Sequence, residues 1–209
     1  KLNFLSLLED SEDFEPKAKI SRYDFVVNSY PFFYPLIQSS IATSNSIVTT
    51  DYTTQLAEDL NNDLTIDTVM ATNNIVTASV VISDLEYDAI DMDYLKFLID
   101  NEVFSLFEDD KFMPDRYMTR IEAIAAVVKF LNVIDSSLNT VVFEGSFPFW
   151  DVSRSHWGRP FLEFAYSNEL ISKNNNFYPD KPLTKDQLIA LLSKTTYARE
   201  QLALVFDND

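Results

Sequence analysis

One eleven-residue frame occurs three times in this chain, and a sequence that repeats a small unit folds by stacking copies of it against one another. The copies are Phe14-Glu-Pro-Lys-Ala-Lys-Ile-Ser-Arg-Tyr-Asp, Phe112-Met-Pro-Asp-Arg-Tyr-Met-Thr-Arg-Ile-Glu and Phe177-Tyr-Pro-Asp-Lys-Pro-Leu-Thr-Lys-Asp-Gln. Each places a hydroxyl (Ser21, Thr119, Thr184), then a cation (Arg22, Arg120, Lys185), then a side-chain acceptor (Asp24, Glu122, Gln187) at matching positions. A hydroxyl with an acceptor three residues later is a capping box, in which each side chain satisfies a backbone amide of the first helical turn. Helices are therefore expected over 24–30, 122–133 and 187–199. Phe-x-Pro ahead of each box reads as an extended turn whose Phe (Phe14, Phe112, Phe177) plugs the core.

The repetition continues upstream. The segment from Ile82 to Ser105 aligns without gaps to that from Phe149 to Ser172, pairing Asp84 with Asp151 and Asn101-Glu102 with Asn168-Glu169. Each unit thus reads as a first helix (about 91–101 and 156–168), a polar loop, Phe-x-Pro and a capped second helix. Asn3 aligns with Asn101, so the first unit opens where its first helix should end, and the sequence is expected to be a piece of a longer chain. The expected division is 1–34, 35–81, 82–135 and 136–209. Residues 35–81 form a Ser/Thr/Asn-rich insert, and Ile75-Val-Thr-Ala-Ser-Val-Val-Ile within it predicts a short strand or hairpin.

A net charge of −17 excludes nucleic acid as a natural partner, since phosphate binding needs clustered Lys and Arg, and disfavours anionic membranes. No apolar run approaches the roughly 20 residues of a membrane span. Cysteine is absent, so there are no disulfides or thiolate metal sites. Gly145 and Gly158 are the only glycines, so left-handed turn positions are expected to fall to Asn, Asp and Ser. Within the insert, Asp59, Asn61, Asp63 and Asp67 have the oxygen spacing of a calcium loop. Leu64 stands where such a loop needs Gly and Met70 where it needs a bidentate Glu, so a solvated polar loop is the favoured expectation and Ca2+ the alternative. No other cofactor is expected. His156 is the only histidine, and no nucleophile–base order or phosphate loop is present, so no catalytic activity is expected.

Two helices around Phe-x-Pro…Thr-Arg-x-Glu, opened by Phe149-Trp-Asp-Val-Ser-Arg-Ser-His-Trp-Gly, resemble the S-layer homology family. The resemblance spans about 1–34 and 82–198 and is fullest in the third unit. It implies a mainly α fold, with three helix-loop-helix repeats arranged as a pseudo-threefold bundle. It also implies that grooves between repeats hold cell-wall glycan, often an anionic pyruvylated polymer. Arg22, Arg120 and Lys185 would be principal groove residues, with Asp84, Asp151 and Trp157 lining or shaping the same region. The competing reading makes the three cations surface residues beside capping boxes, and core packing is the favoured expectation for Trp150 and Trp157. The family usually has Gly where this chain has Asn101-Glu102 and Asn168-Glu169. The resulting expectation is an envelope-anchoring module on a bacterial surface or wall, on the periplasmic face if the host has an outer membrane. The alternative is a structural subunit of a surface layer or filament, partnered by its own copies or other surface-layer proteins.

Overall fold

The structure, a computed structural model, describes residues 15–59 (backbone only from 41), 82–85, 92–135, 146–195 and 198. Five α-helices follow in order: α1 (Arg22–Asp59), α2 (Met92–Asp100), α3 (Arg120–Ile134), α4 (Arg159–Ser167) and α5 (Lys185–Leu192). A single 3-10 turn, Glu108–Asp110, lies between α2 and α3. The described residues form no sheet, only isolated bridges. The fold is mainly α.

Three extended segments, one ahead of each capped helix, meet at the centre of the molecule. The Ile20 N–H donates to the Leu183 carbonyl at 2.9 Å, the Leu183 N–H to Met118 at 2.8 Å, and the Met118 N–H to Ile20 at 2.9 Å. This closed ring of backbone bonds joins three copies of one sequence position and defines a pseudo-threefold axis. A second ring surrounds it, in which the amides of Arg22, Arg120 and Lys185 donate to the carbonyls of Arg116, Lys181 and Ala18. Side chains at the axis are sealed, with Ile20, Met118 and Leu183 each no more than 3% exposed. Such a ring satisfies the backbone groups that short extended segments would otherwise bury unpaired.

The capping boxes start the helices as expected. The Ser21 N–H donates to Asp24 at 2.9 Å while the Asp24 amide donates back to the Ser21 hydroxyl. Thr119 and Glu122 exchange the same pair of bonds ahead of α3. α3 is buried on nearly every side because it touches α1, α4 and α5, which accounts for its run of Ile, Ala, Val and Phe. Phe33 of α1 stacks on Phe130 of α3 with ring centroids 3.8 Å apart. At the start of α4 the Gly158 backbone lies so close to α3 that a Cβ there would meet Ile121 Cγ1 at 2.2 Å. That close approach, not an unusual φ, is why glycine is needed at this position.

Several elements differ from the sequence expectation. α1 does not end at Tyr30 but runs through Pro31 and Pro35 to Asp59, into the stretch assigned to the insert. Phe32, Phe33 and Ile37 continue its buried face at helical spacing, and that burial outweighs the ladder bonds the two prolines remove. α4 begins at Arg159 rather than at His156, after the tight approach at Gly158. Ile82 lies outside any strand, and Ile75–Val81 fall outside the described residues.

The left-handed positions meet the expectation only at Asp109 and Asp110. They fall on Glu102, Asp109, Asp110, Met113, Glu169 and Tyr178, with φ between 54° and 58°. Asn and Ser take none of them among the described residues. Glu102 and Glu169 are equivalent residues just past α2 and α4, where the resembled family carries Gly, so the backbone conformation itself explains that glycine. Ahead of each, Asn101 and Asn168 cap the helix by donating to the carbonyls of Phe97 and Phe164. Since a left-handed conformation costs a non-glycine residue about 1–2 kcal/mol, Glu102→Gly and Glu169→Gly should each stabilise the fold by about 1 kcal/mol after unfolded-state entropy is deducted. Urea unfolding of each variant should show a higher midpoint at unchanged slope, and a lower midpoint would contradict this account of the two positions.

Candidate functional site

Phe-x-Pro and the upstream Asp are coupled in the second and third units by one device. The two oxygens of Asp151 accept the amides of Phe177 (2.8 Å) and Tyr178 (2.6 Å). Asp84 does the same for Phe112 and Met113, both at 2.7 Å. Tyr178 and Met113 are the left-handed residues before proline, a conformation their neighbours must hold in place. The two aspartates assigned to the groove region by resemblance therefore have both oxygens engaged by backbone, and shape the turn from beneath.

The turn carbonyls in their turn hold the cations of the preceding unit. Arg120 Nε donates to the Phe177 carbonyl at 2.9 Å, with its guanidinium 4.6 Å from the Phe177 ring centroid. Arg22 Nε donates to the Phe112 carbonyl at 2.7 Å. Both cations thus bridge consecutive repeats in the same way, but their surroundings differ. Arg22 also donates from Nη2 to the Ser105 carbonyl at 2.8 Å and lies within 5.0 Å of the ring centroids of Phe104, Phe107 and Phe112. It is 6% exposed. Burial, reinforced by the positive charge of Arg116, lowers its pKa to about 10, so it stays charged at neutral pH. Arg120 is only half-buried, and neither of its Nη atoms is hydrogen-bonded to the described residues. Burial lowers its pKa too, opposed by Asp151 and Asp186.

Arg120 opens onto a groove of about 240 Å3 between α3, α5 and the loop after α4. A second concavity of about 470 Å3 adjoins it, with Arg120, Asn174, Asn176 and Gln187 in both linings. Lys17, Lys19, Lys181 and Lys194 supply four further cations, and among the described residues no Asp or Glu lines either part. Lys17 pairs with Asp186 at 2.7 Å, and that bond with the Thr184 hydroxyl outweighs burial to hold the Asp186 carboxyl below its usual range. Lys194 donates to the Ser172 hydroxyl, and Lys181 lies 3.9 Å from the Tyr178 ring centroid. These four lysines were not singled out from sequence. They come from three separate segments, so only the fold brings them together.

Lys185 is half-buried at the first position of α5, and its own amide donates to the Ala18 carbonyl. The turn it would face, at Phe14, lies outside the described residues. Trp150 and Trp157, expected in the core, are 80% and 57% exposed. Trp157 stacks on His156 and meets Phe161 edge-on, while Trp150 lies in a surface turn and makes no ring contact among the described residues. Of the calcium-loop residues, Asn61, Asp63 and Asp67 lie outside the described residues, as does the Asp59 side chain. Among the described residues no three His, Asp or Glu side chains gather as metal ligands, and no helix is long and apolar enough to cross a membrane.

The sequence profile of the S-layer homology domain matches residues 87–124 and 148–189. Those two stretches are S-layer homology repeats. They are the second and third units of the threefold ring, and their matched residues include both aspartate clamps' partners and Arg120. No curated protein matches the chain. S-layer homology domains are wall-associated modules without catalytic activity and associate bacterial proteins with the cell surface, so this chain is a surface- or wall-associated protein.

Proposed function

We propose that this chain anchors a protein to the bacterial envelope by binding an acidic cell-wall polysaccharide in the groove between its second and third repeats. One observation carries the reading. In a chain of net charge −17, the described residues line that groove with five cations, of which Lys17 alone is ion-paired (with Asp186), and with no carboxylate. Local charge decides attraction at contact distance, because physiological salt screens the rest of the molecule beyond about 8 Å. Arg120 offers planar Nη donors suited to a carboxylate, and Asn174, Asn176 and Gln187 offer amides suited to sugar hydroxyls. The segment of residues 15–34 completes the ring as the first repeat, and the groove cations Lys17 and Lys19 come from it.

Arg120→Gln should weaken sedimentation with purified wall sacculi by about 10- to 100-fold, the equivalent of one lost charge-assisted contact of about 1.5–3 kcal/mol. Wild-type binding should also weaken steadily with added salt. Full binding by the variant at every salt concentration would refute the assignment of this groove.

A further inference from the structure

We infer that the homologous groove between the first and second repeats is sealed by the chain's own Phe107, so that the described repeats offer one acidic-glycan groove, not two. The inference rests on the reading above and names which groove serves it. The two grooves begin alike, each with a cation bonded to the carbonyl of the next Phe-x-Pro. Counted from the shared serines Ser105 and Ser172, Phe107 stands where the third repeat has Asn174, and Phe104 where it has Ile171. The first substitution decides the outcome. Phe107 lies with its ring centroid 5.0 Å from the Arg22 guanidinium and 5.3 Å from that of Arg116, held by its backbone N–H, which donates to the Lys111 carbonyl at 2.8 Å in an isolated antiparallel bridge. Its ring covers the donors that Arg22 would show a ligand, and Arg22 Nη2 is drawn instead onto the Ser105 carbonyl. Asn174 opposite Arg120 is short and polar, lines the open groove, and leaves the Nη atoms of Arg120 facing it.

Phenylglyoxal, which attacks accessible guanidinium groups, reads the difference directly when the intact chain is labelled and its peptides are weighed. Arg120 should be modified and Arg22 spared in the wild type. In Phe107→Asn, Arg22 should lose its protection, while Phe107→Leu, which keeps an apolar cover and checks that the fold survives, should leave it spared. Equal labelling of Arg22 and Arg120 in the wild type would overturn the inference, as would an Arg22 that stays spared in a folded Phe107→Asn. Adding the acidic polysaccharide released from sacculi should protect Arg120 alone. If Arg120 labels freely with the polysaccharide present while the Arg22 contrast persists, the glycan reading fails and the sealed groove stands.

Discussion

Asp151→Ala should destabilise the protein by about 2–4 kcal/mol, because two charge-assisted bonds to backbone amides are lost and no side chain replaces them. For a chain of this size that corresponds to a fall of roughly 5–15 °C in Tm. The reason lies in the turn it holds. Both oxygens are used, and one of the two amides belongs to a left-handed residue ahead of proline, a backbone state that does not persist unsupported. Asp151→Asn retains one acceptor oxygen and should lose about half as much. Asp84→Ala should match the Asp151 result, since the same two bonds recur in the second repeat. Thermal unfolding followed by circular dichroism tests all three variants. A loss below 0.5 kcal/mol in both alanine variants would show that the turn holds its shape without the clamp. The clamp also reaches the groove, because Asp151 positions Phe177 and the Phe177 carbonyl positions Arg120. Asp151→Ala should therefore weaken wall binding as well, whereas Asp84→Ala should spare it.

Arg22→Ala should cost about 3 kcal/mol of stability and leave wall binding unchanged, the reverse of Arg120→Gln. Two carbonyls, the buried one of Phe112 and the part-buried one of Ser105, would each lose a charged donor, and three aromatic rings would lose the cation between them. Arg120 bonds one carbonyl and contacts one described ring, so its replacement should cost about 1 kcal/mol. Denaturant midpoints and sacculus binding of the two variants, measured side by side, check the exchange of effects. If Arg22→Ala folded as stably as the wild type but failed to bind, the burial of Arg22 would not describe its role in solution.

Much of this architecture is legible in the sequence, for local reasons. Capping boxes and helical periods are set by residues three or four apart, so α3 and α5 start where Thr119 and Thr184 place them. The repeated frame likewise carries the threefold ring, because equal positions in stacked units meet equal partners. What the sequence conceals depends on distance. Asp151 and Phe177 are 26 residues apart, and nothing in either neighbourhood states that one clamps the other. The left-handed residues are hidden for another reason, since Glu102, Met113, Glu169 and Tyr178 belong to types that seldom adopt that conformation. The signal available was comparative, in the Gly that the resembled family carries past its first helix. The cations Arg22 and Arg120 look equivalent in the frame. Their difference lies in Phe107 and Asn174, loop residues outside the repeated motif. Trp150 and Trp157 follow a composition rule that fails here, because a residue type common in cores says nothing of the turn that carries it.

The central claim is that the cationic groove takes an acidic wall polymer. Sedimentation of the protein with purified sacculi, before and after chemical removal of their secondary polysaccharide, tests it most directly. The account predicts binding to intact sacculi that disappears once the polysaccharide is stripped and is weakened by Arg120→Gln. Equal binding to stripped and intact sacculi, or no binding to either, would contradict it, and concentration-dependent self-assembly without polysaccharide would then mark the repeats as a scaffold between copies of the chain.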